Sequence, residues 1–341
     1  MSNRRVILRA DGNKTIGLGH VYRLLALAEI VKNDFECVFV IHNPEPFILS
    51  EIKKVCSSHL CLDSELTYEG STSVPINEMP FDLEGVLNGD EIVVTDGYGF
   101  GKNYQANVMK KGSRLVCIDD LAETEFEADI VINHAPGINK SIYKMHSRSV
   151  LLTGLDYAIL RRPFFEKLEN KKSSSKIAFI SLGGSDSHHY SARIMEMLLE
   201  LSIFQEFHIL CSTLFDERLV SRLKEFQHSF NKVFLHFNLN AGGVVEVMNQ
   251  CTHAFISAST VLLESYSRGL QCFAGYYTLN QQFLYQGFVE NKFAQGLGDF
   301  EHLTREKMAE SLKDVSNIRA LSTPLCSDKN ILEIFKSLSK E

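Results

Sequence analysis

His20 closes the run Arg9-Ala-Asp-Gly-Asn-Lys-Thr-Ile-Gly-Leu-Gly-His20-Val-Tyr-Arg23, in which Gly12, Gly17 and Gly19 loosen the chain between an apolar segment and a helical one. Glycines in such a loop let the backbone approach a ligand and leave amide N–H groups directed at it. A histidine at a helix start lies at the positive end of the helix dipole, which disfavours imidazolium and leaves the ring able to accept a proton. The expected base is therefore His20, with Asp11 to orient or assist it and Gly17, Gly19 and Arg23 to touch the ligand. The run lacks the Gly-Lys-Ser/Thr ending of a P-loop, and Arg23 stands one place past where GxGxxG needs its third glycine. The plainer alternative is a tight turn in which His20 caps the helix.

Other segments offer complementary groups. Asp96-Gly-Tyr98 follows an apolar run, and an acid and a phenol at that spacing can bond a sugar hydroxyl or an acyl amide; a Gly-rich turn with an exposed aromatic is the alternative. Asp119-Asp120 also follow an apolar run; such a pair can divide acid and base roles or bind a metal, and the simpler readings are a helix cap or a supporting pair. Gly183-Gly184-Ser185 suits a close phosphate or hinge contact, or a structural turn. Ser259-Thr260 at a helix start is an anion site suited to a diphosphate, with Glu264 a turn later for ribose hydroxyls; the alternative is an N-cap and an ordinary helical acid. Asn280-Gln281 carry amides that can read a uracil edge. His134, His208, His236 and His253 lie in or beside apolar runs and read as core or edge histidines. No Cys/His cluster has zinc spacing, so no metal is expected; the eight scattered cysteines read as buried thiols of a reducing compartment.

These segments must be positioned by strands and helices. Short apolar runs at Arg5–Arg9, Cys37–Ile41, Glu91–Thr95, Arg114–Ile118 and Asp129–Asn133 alternate with helical stretches, the first helix running from about His20 to Lys32. Continuous apolar strands between helices signal a parallel sheet covered on both faces. The alternation breaks at the polar, Ser- and Lys-rich stretch before Lys176. It resumes at Ile177–Ser181, His208–Cys211, Val233–His236, His253–Ser257 and Cys272–Gly275. The expectation is α/β: two Rossmann-like doubly wound domains, 1–160 and 177–341, joined by a linker over 161–176, with a ligand in the cleft between them. A last helix, about Lys329 to Leu338, is free to pack on either domain.

The 341 residues, 45% hydrophobic and 23% charged, are those of an ordinary globular protein. A formal net charge of −7 gives no electrostatic reason to bind nucleic acid. No apolar run approaches the ~20 residues that span a bilayer, and the start lacks a signal-peptide core, so a cytoplasmic location without membrane insertion is expected.

Taken in order, Arg9-Ala-Asp11, Gly17-x-Gly19-His20-x-x-Arg23, Asp96-x-Tyr98, Ile118-Asp-Asp120-Leu, Asp129-Ile-Val-Ile-Asn133, Gly154-Leu-Asp-Tyr157-Ala-Ile-Leu-Arg161, Leu182-Gly-Gly-Ser-Asp186, Ser257-Ala-Ser-Thr260 with Glu264, and Asn280-Gln281 resemble one family. It is that of the UDP-sugar hydrolases of pseudaminic acid biosynthesis and related spore-coat polysaccharide proteins. The resemblance runs from Arg5 to Gly287. It implies a GT-B-like architecture with the nucleotide held mainly by the second domain and a UDP-diacetamido-trideoxyhexose as substrate. It also implies that His20 activates water for attack at the anomeric carbon, Asp11 and Tyr98 orient the sugar, and Ser259, Thr260 and Glu264 hold diphosphate and ribose. Asn280 and Gln281 would lie near the nucleotide or sugar, and no cofactor is implied. Ser187-His188-His189 departs from the family, which has proline or a small residue there. A GT-B glycosyltransferase and a non-catalytic nucleotide-sugar-binding protein are the alternatives.

Overall fold

The parity of the first strand explains the continuous apolar runs. In β1 (Arg5–Ala10), Val6, Leu8 and Ala10 enter one core cluster and Ile7 enters another on the opposite face. Both faces are covered, so the interior positions are apolar except Arg9, which is buried on its carboxylate partners Asp11 and Asp82. The computed structural model describes residues 4–13, 17–62, 78–166, 175–184, 186–313, 318–319, 321 and 323–340. Ser185 and residues 167–174, half of the polar stretch 161–176, lie outside the described residues.

The chain divides into two units, residues 1–134, 138–161 and 326–341 in the first and 135–137 and 162–325 in the second. In the first, β1 is followed by α1 (Gly19–Val31), β2 (Glu36–His42), α2 (Pro46–Val55), β3 (Ser58–Leu62), β4 (Ile92–Asp96), α3 (Lys102–Lys110) and β5 (Arg114–Ile118). Then come β6 (Glu125–Phe126), β7 (Ile130–Asn133), β8 (Lys144–Met145) and β9 (Val150–Thr153). Seven strands make one parallel sheet in the order β3-β2-β1-β4-β5-β7-β9, and β6 pairs with β8 apart from it.

The second unit repeats the plan. It holds β10 (Ile177–Ser181), α4 (Tyr190–Leu201), β11 (Glu206–Cys211), α5 (Glu217–Ser229), β12 (Val233–Phe237) and α6 (Ala241–Gln250). β13 (His253–Ser257), α7 (Thr260–Ser267), β14 (Gln271–Tyr276), α8 (Gln282–Glu290), β15 (Ala294–Asp299) and α9 (Arg305–Ser311) complete it. The six strands are parallel in the order β12-β11-β10-β13-β14-β15.

The last helix, α10 (Ser327–Leu338), joins the first unit, where Ile331, Phe335 and Leu338 are buried with α1 and α2. Residues 326–341 therefore leave the stretch 177–341 that the sequence delimits. In each sheet the order reverses at the first strand: β1 lies between β2 and β4, and β10 between β11 and β13. Connections leave such a strand in opposite directions and open a crevice at its carboxyl end, where ligands bind. The loops after β1 and β4 carry His20 and Tyr98, and those after β10 and β13 carry Gly183, Gly184, Ser259 and Thr260.

Candidate functional site

Period two along β4 turns Ile92, Val94 and Asp96 toward the side covered by α1. On α1, His20 and Arg23 are three apart and share a face. The two elements meet at a buried triad. His20 Nδ1 lies 2.7 Å from Asp96 Oδ1, and Arg23 donates to both Asp96 oxygens, at 2.6 Å from Nε and 2.5 Å from the terminal nitrogen. Asp96 is fully buried and His20 nearly so. Burial alone would raise the Asp96 pKa, but Arg23 and then His20 hold it below its ordinary value. An ionised Asp96 accepts the Nδ1 proton of His20, which leaves Nε2 of the neutral ring with its lone pair. His20 is the second residue of α1 and its ring is committed to Asp96, so the capping alternative does not describe it.

Tyr98 packs edge-on against His20, ring centroids 5.0 Å apart and planes at 85°. Burial, and after it the Asp120 carboxylate, push the phenol pKa well above its usual value. Asp120 also reaches Arg23, at 3.3 Å. Beside it, Asp119 accepts from the Tyr143 hydroxyl at 2.7 Å and from the Ala122 amide at 2.8 Å, yet burial raises its pKa to about 6. Asp11 bonds to other groups. Arg9 grips both its oxygens at 2.7 and 2.9 Å, and the His42 amide donates to it at 2.8 Å. The same buried guanidinium binds Asp82, which also takes His42 Nε2 at 3.0 Å and the Tyr104 hydroxyl at 2.6 Å. Asp96 is thus the carboxylate on His20, and Asp11 belongs to a separate buried network that anchors the loop before Gly12. Gly17 closes that loop through its amide to Asn13, and Gly19 opens α1 with no atom crowding a side-chain position.

In the second unit, the β10 and β13 loops come together. Gly183 turns with φ +94°, and a β-carbon there would lie 3.5 Å from the Tyr277 hydroxyl and 3.7 Å from Ser257 Oγ. Ser257 and Ser259 hydroxyls are 3.1 Å apart, and Tyr277 donates to the Leu182 carbonyl at 2.9 Å. Gln281 accepts from the Tyr277 amide at 3.0 Å, which ties it to the same corner, while Asn280 is half-buried next to it. Nothing crowds Gly184. Ser259 precedes α7 without capping it, Thr260 is its first residue, and Glu264 is buried inside that helix. His188 stacks on Tyr190 at 5.4 Å, and His189 Nε2 lies 2.7 Å from Asp216. Ser257, quoted in a motif but given no role, and Tyr277, which the sequence reading passed over, are side chains that build this corner. Among the described residues the one group with metal-ligating geometry is Asp299, Glu301 and His302, which is largely exposed.

Fold and site together define a two-unit α/β protein of GT-B-like architecture. No protein-family profile matches the chain. It is 24% identical over 265 residues to the UDP-2,4-diacetamido-2,4,6-trideoxy-beta-L-altropyranose hydrolase of Campylobacter jejuni, covering 76% of this chain and 87% of that protein. It is 22% identical over 299 residues to an uncharacterized protein of Methanocaldococcus jannaschii, covering 84% of this chain and 58% of the archaeal one; it spans little more than half of that relative's length. Among solved structures, Acinetobacter baumannii MurG superposes with TM-score 0.61 at 11% identity, over 99% of this chain and all of that one. The Staphylococcus aureus MnaA–UDP co-structure gives TM-score 0.61 at 10% identity over 99% and 98%. The calicheamicin glycosyltransferase CalG4 gives 0.57 at 13% over 99% and 96%. No helix among the described residues is long and apolar enough to cross a membrane.

Proposed function

We propose that the chain is a UDP-sugar hydrolase with His20 as its general base. The observation that carries this reading is the His20–Asp96 pair at 2.7 Å, which fixes the tautomer and leaves Nε2 able to take a proton. Water loses a proton to Nε2 as its oxygen bonds to the anomeric carbon. The bond from that carbon to the diphosphate oxygen breaks, and its electron pair leaves with UDP. The imidazolium formed is stabilised by the buried Asp96 carboxylate. UDP leaves readily as an anion, so a base and donors for the diphosphate are the main requirements. In this reading the amides at Gly183 and Gly184 and the Ser259 and Thr260 positions hold the diphosphate, Glu264 the ribose, and Asn280 and Gln281 the base or sugar. Tyr98 orients the sugar beside His20. The substrate suggested by the Campylobacter relative is a UDP-diacetamido-trideoxyhexose.

A glycosyltransferase is the second reading, favoured by the likeness of the fold to glycosyltransferases such as CalG4. Incubation with the UDP-diacetamido sugar in ¹⁸O-water without any acceptor separates the two. Hydrolysis at carbon releases UDP and puts the label on the sugar. Label on phosphate sinks the mechanism, and UDP release that waits for an added acceptor establishes the transferase.

A further inference from the structure

Among the described residues of the first unit, three buried side-chain atoms lack a hydrogen bond of good geometry, Tyr98 Oη, Asp120 Oδ1 and His134 Nδ1, and of these the Tyr98 phenol and the Asp120 carboxylate lie within reach of each other. Asp120 adjoins Arg23, and His134 directly follows β7, the sheet neighbour of β5, whose end leads to Asp120. Asp120 meets Arg23 through its other oxygen at 3.3 Å, Asp120 and Tyr98 both act on the guanidinium charge, and the charges of Arg23 and Asp96 both act on His134. His134 is 5% exposed. An unpaired buried polar atom costs about 1–3 kcal/mol, and nearly all such atoms in folded proteins are paired. Tyr98 and Asp120 can turn to each other, which leaves His134 Nδ1 as the atom that calls for a ligand to pair with it.

Charge decides its class. Arg23 is matched by Asp96 and Asp120, and burial holds His134 uncharged, with its pKa down to about 3. The cluster has no spare positive charge for a phosphate. It offers a carboxylate oxygen that accepts, an imidazole nitrogen that accepts when its proton sits on Nε2, and a phenol that can do either.

We propose that His134, Asp120 and Tyr98 form a subsite for an uncharged hydrogen-bond donor of the sugar, a hydroxyl or an N–H, with His134 as a specificity-determining residue. This deepens the reading of the chain as a UDP-sugar enzyme and rests on it. A site with buried acceptors rejects an analogue lacking the matching donor, because the acceptors are then left unpaired.

The test uses the full chain, its His134→Leu variant, and UDP and UDP-N-acetylglucosamine as probes for calorimetry. Leucine removes the unpaired nitrogen, so the melting temperature of the free variant stays level or rises. UDP-N-acetylglucosamine binding weakens by about tenfold or more, as for one lost buried hydrogen bond, while UDP binding stays within about twofold. His134→Gln, which keeps an acceptor, recovers part of the loss. A clear drop in melting temperature for His134→Leu overturns the proposal, since the nitrogen then has a structural partner. Equal effects on both nucleotides, or none on either, overturn it too. Wild-type protein that binds neither nucleotide sinks the UDP-sugar reading itself, and the melting temperatures alone then judge whether His134 Nδ1 is unpaired.

Discussion

His20 and Asp96 are 76 positions apart, and what pairs them is parity: strand alternation on β4 and a three-residue step on α1. The same parity tells their substitutions apart. His20→Asn leaves Asp96 bonded to Arg23, so folding is little changed while turnover falls by about 10²–10⁴, the usual range for a lost general base. Asp96→Asn removes the nearer of the two carboxylates on a buried guanidinium, and breaking a buried pair from one side costs about 3–5 kcal/mol. That variant loses both turnover and stability. UDP-release kinetics alongside urea unfolding checks the pair, and an Asp96→Asn protein as stable as wild type refutes the account. The sequence makes His20, Arg23, Asp96 and Tyr98 visible as polar residues at strand ends and a helix start. It offers Asp11 to orient or assist the histidine, whereas the fold pairs Asp11 with Arg9 of β1, two residues before it. His134 reads as a core histidine, since whether a buried nitrogen has a partner depends on packing that no local pattern records.

Elements with apolar runs on both faces were legible to within a residue or two, as β1, β5 and β13 show. The edge strands β3, β9 and β15 were not, although the edge strand β12 was, at Val233–His236. β3 has mostly exposed or half-exposed positions, and β15 reads Ala-Gln-Gly-Leu-Gly-Asp, so neither carries the continuous apolar signal. β15 is held instead by close backbone approach. A β-carbon at Gly275 in β14 would lie 2.7 Å from the Gly298 carbonyl and 2.5 Å from the Phe300 ring. Backbone cannot move aside as a side chain can, so Gly275→Ala is expected to cost about 1–3 kcal/mol. Faster amide exchange along β14 and β15 than in wild type checks this; unchanged exchange refutes it. On the other unit, α10 is tied by Phe335, whose ring meets Phe35 at 6.1 Å, and by Ser327 donating to the Ala158 carbonyl at 2.7 Å. Phe335→Ala should cost about 3–5 kcal/mol as a large-to-small core change. Exchange should quicken in β1, α1 and α10 and not in β10 or β13; a loss spread evenly over both units contradicts the assignment of α10 to the first.

At the scale of the whole molecule, the net charge of −7 says little about how stability responds to pH, because a few buried groups dominate it. Asp119 has its pKa raised from 3.8 to about 6 by burial and then by Asp120. Its contribution is present below about pH 4 and is lost as pH rises through 6, where the fold must hold an ionised carboxylate. His134 works in the other direction. Burial and then Arg23 lower its pKa from 6.5 to about 3, so stability present above pH 6.5 is lost as pH falls toward 3 and the unfolded chain binds the proton instead. Asp82 adds an acid-side loss. Despite burial, its bonds to His42, Arg9 and Tyr104 bring it to about 2, and this stability disappears as pH falls from about 4. Between pH 4 and 6 the Asp119 and His134 trends oppose each other and partly cancel in the wild type, and single variants separate them. Measured against wild type by urea unfolding, Asp119→Asn should gain as pH rises from 4 to 7. His134→Leu should gain as pH falls from 6.5 to 4. Other groups are common to both proteins and drop out of each difference. If either difference stays flat across its window, that residue does not titrate as its burial and neighbours require.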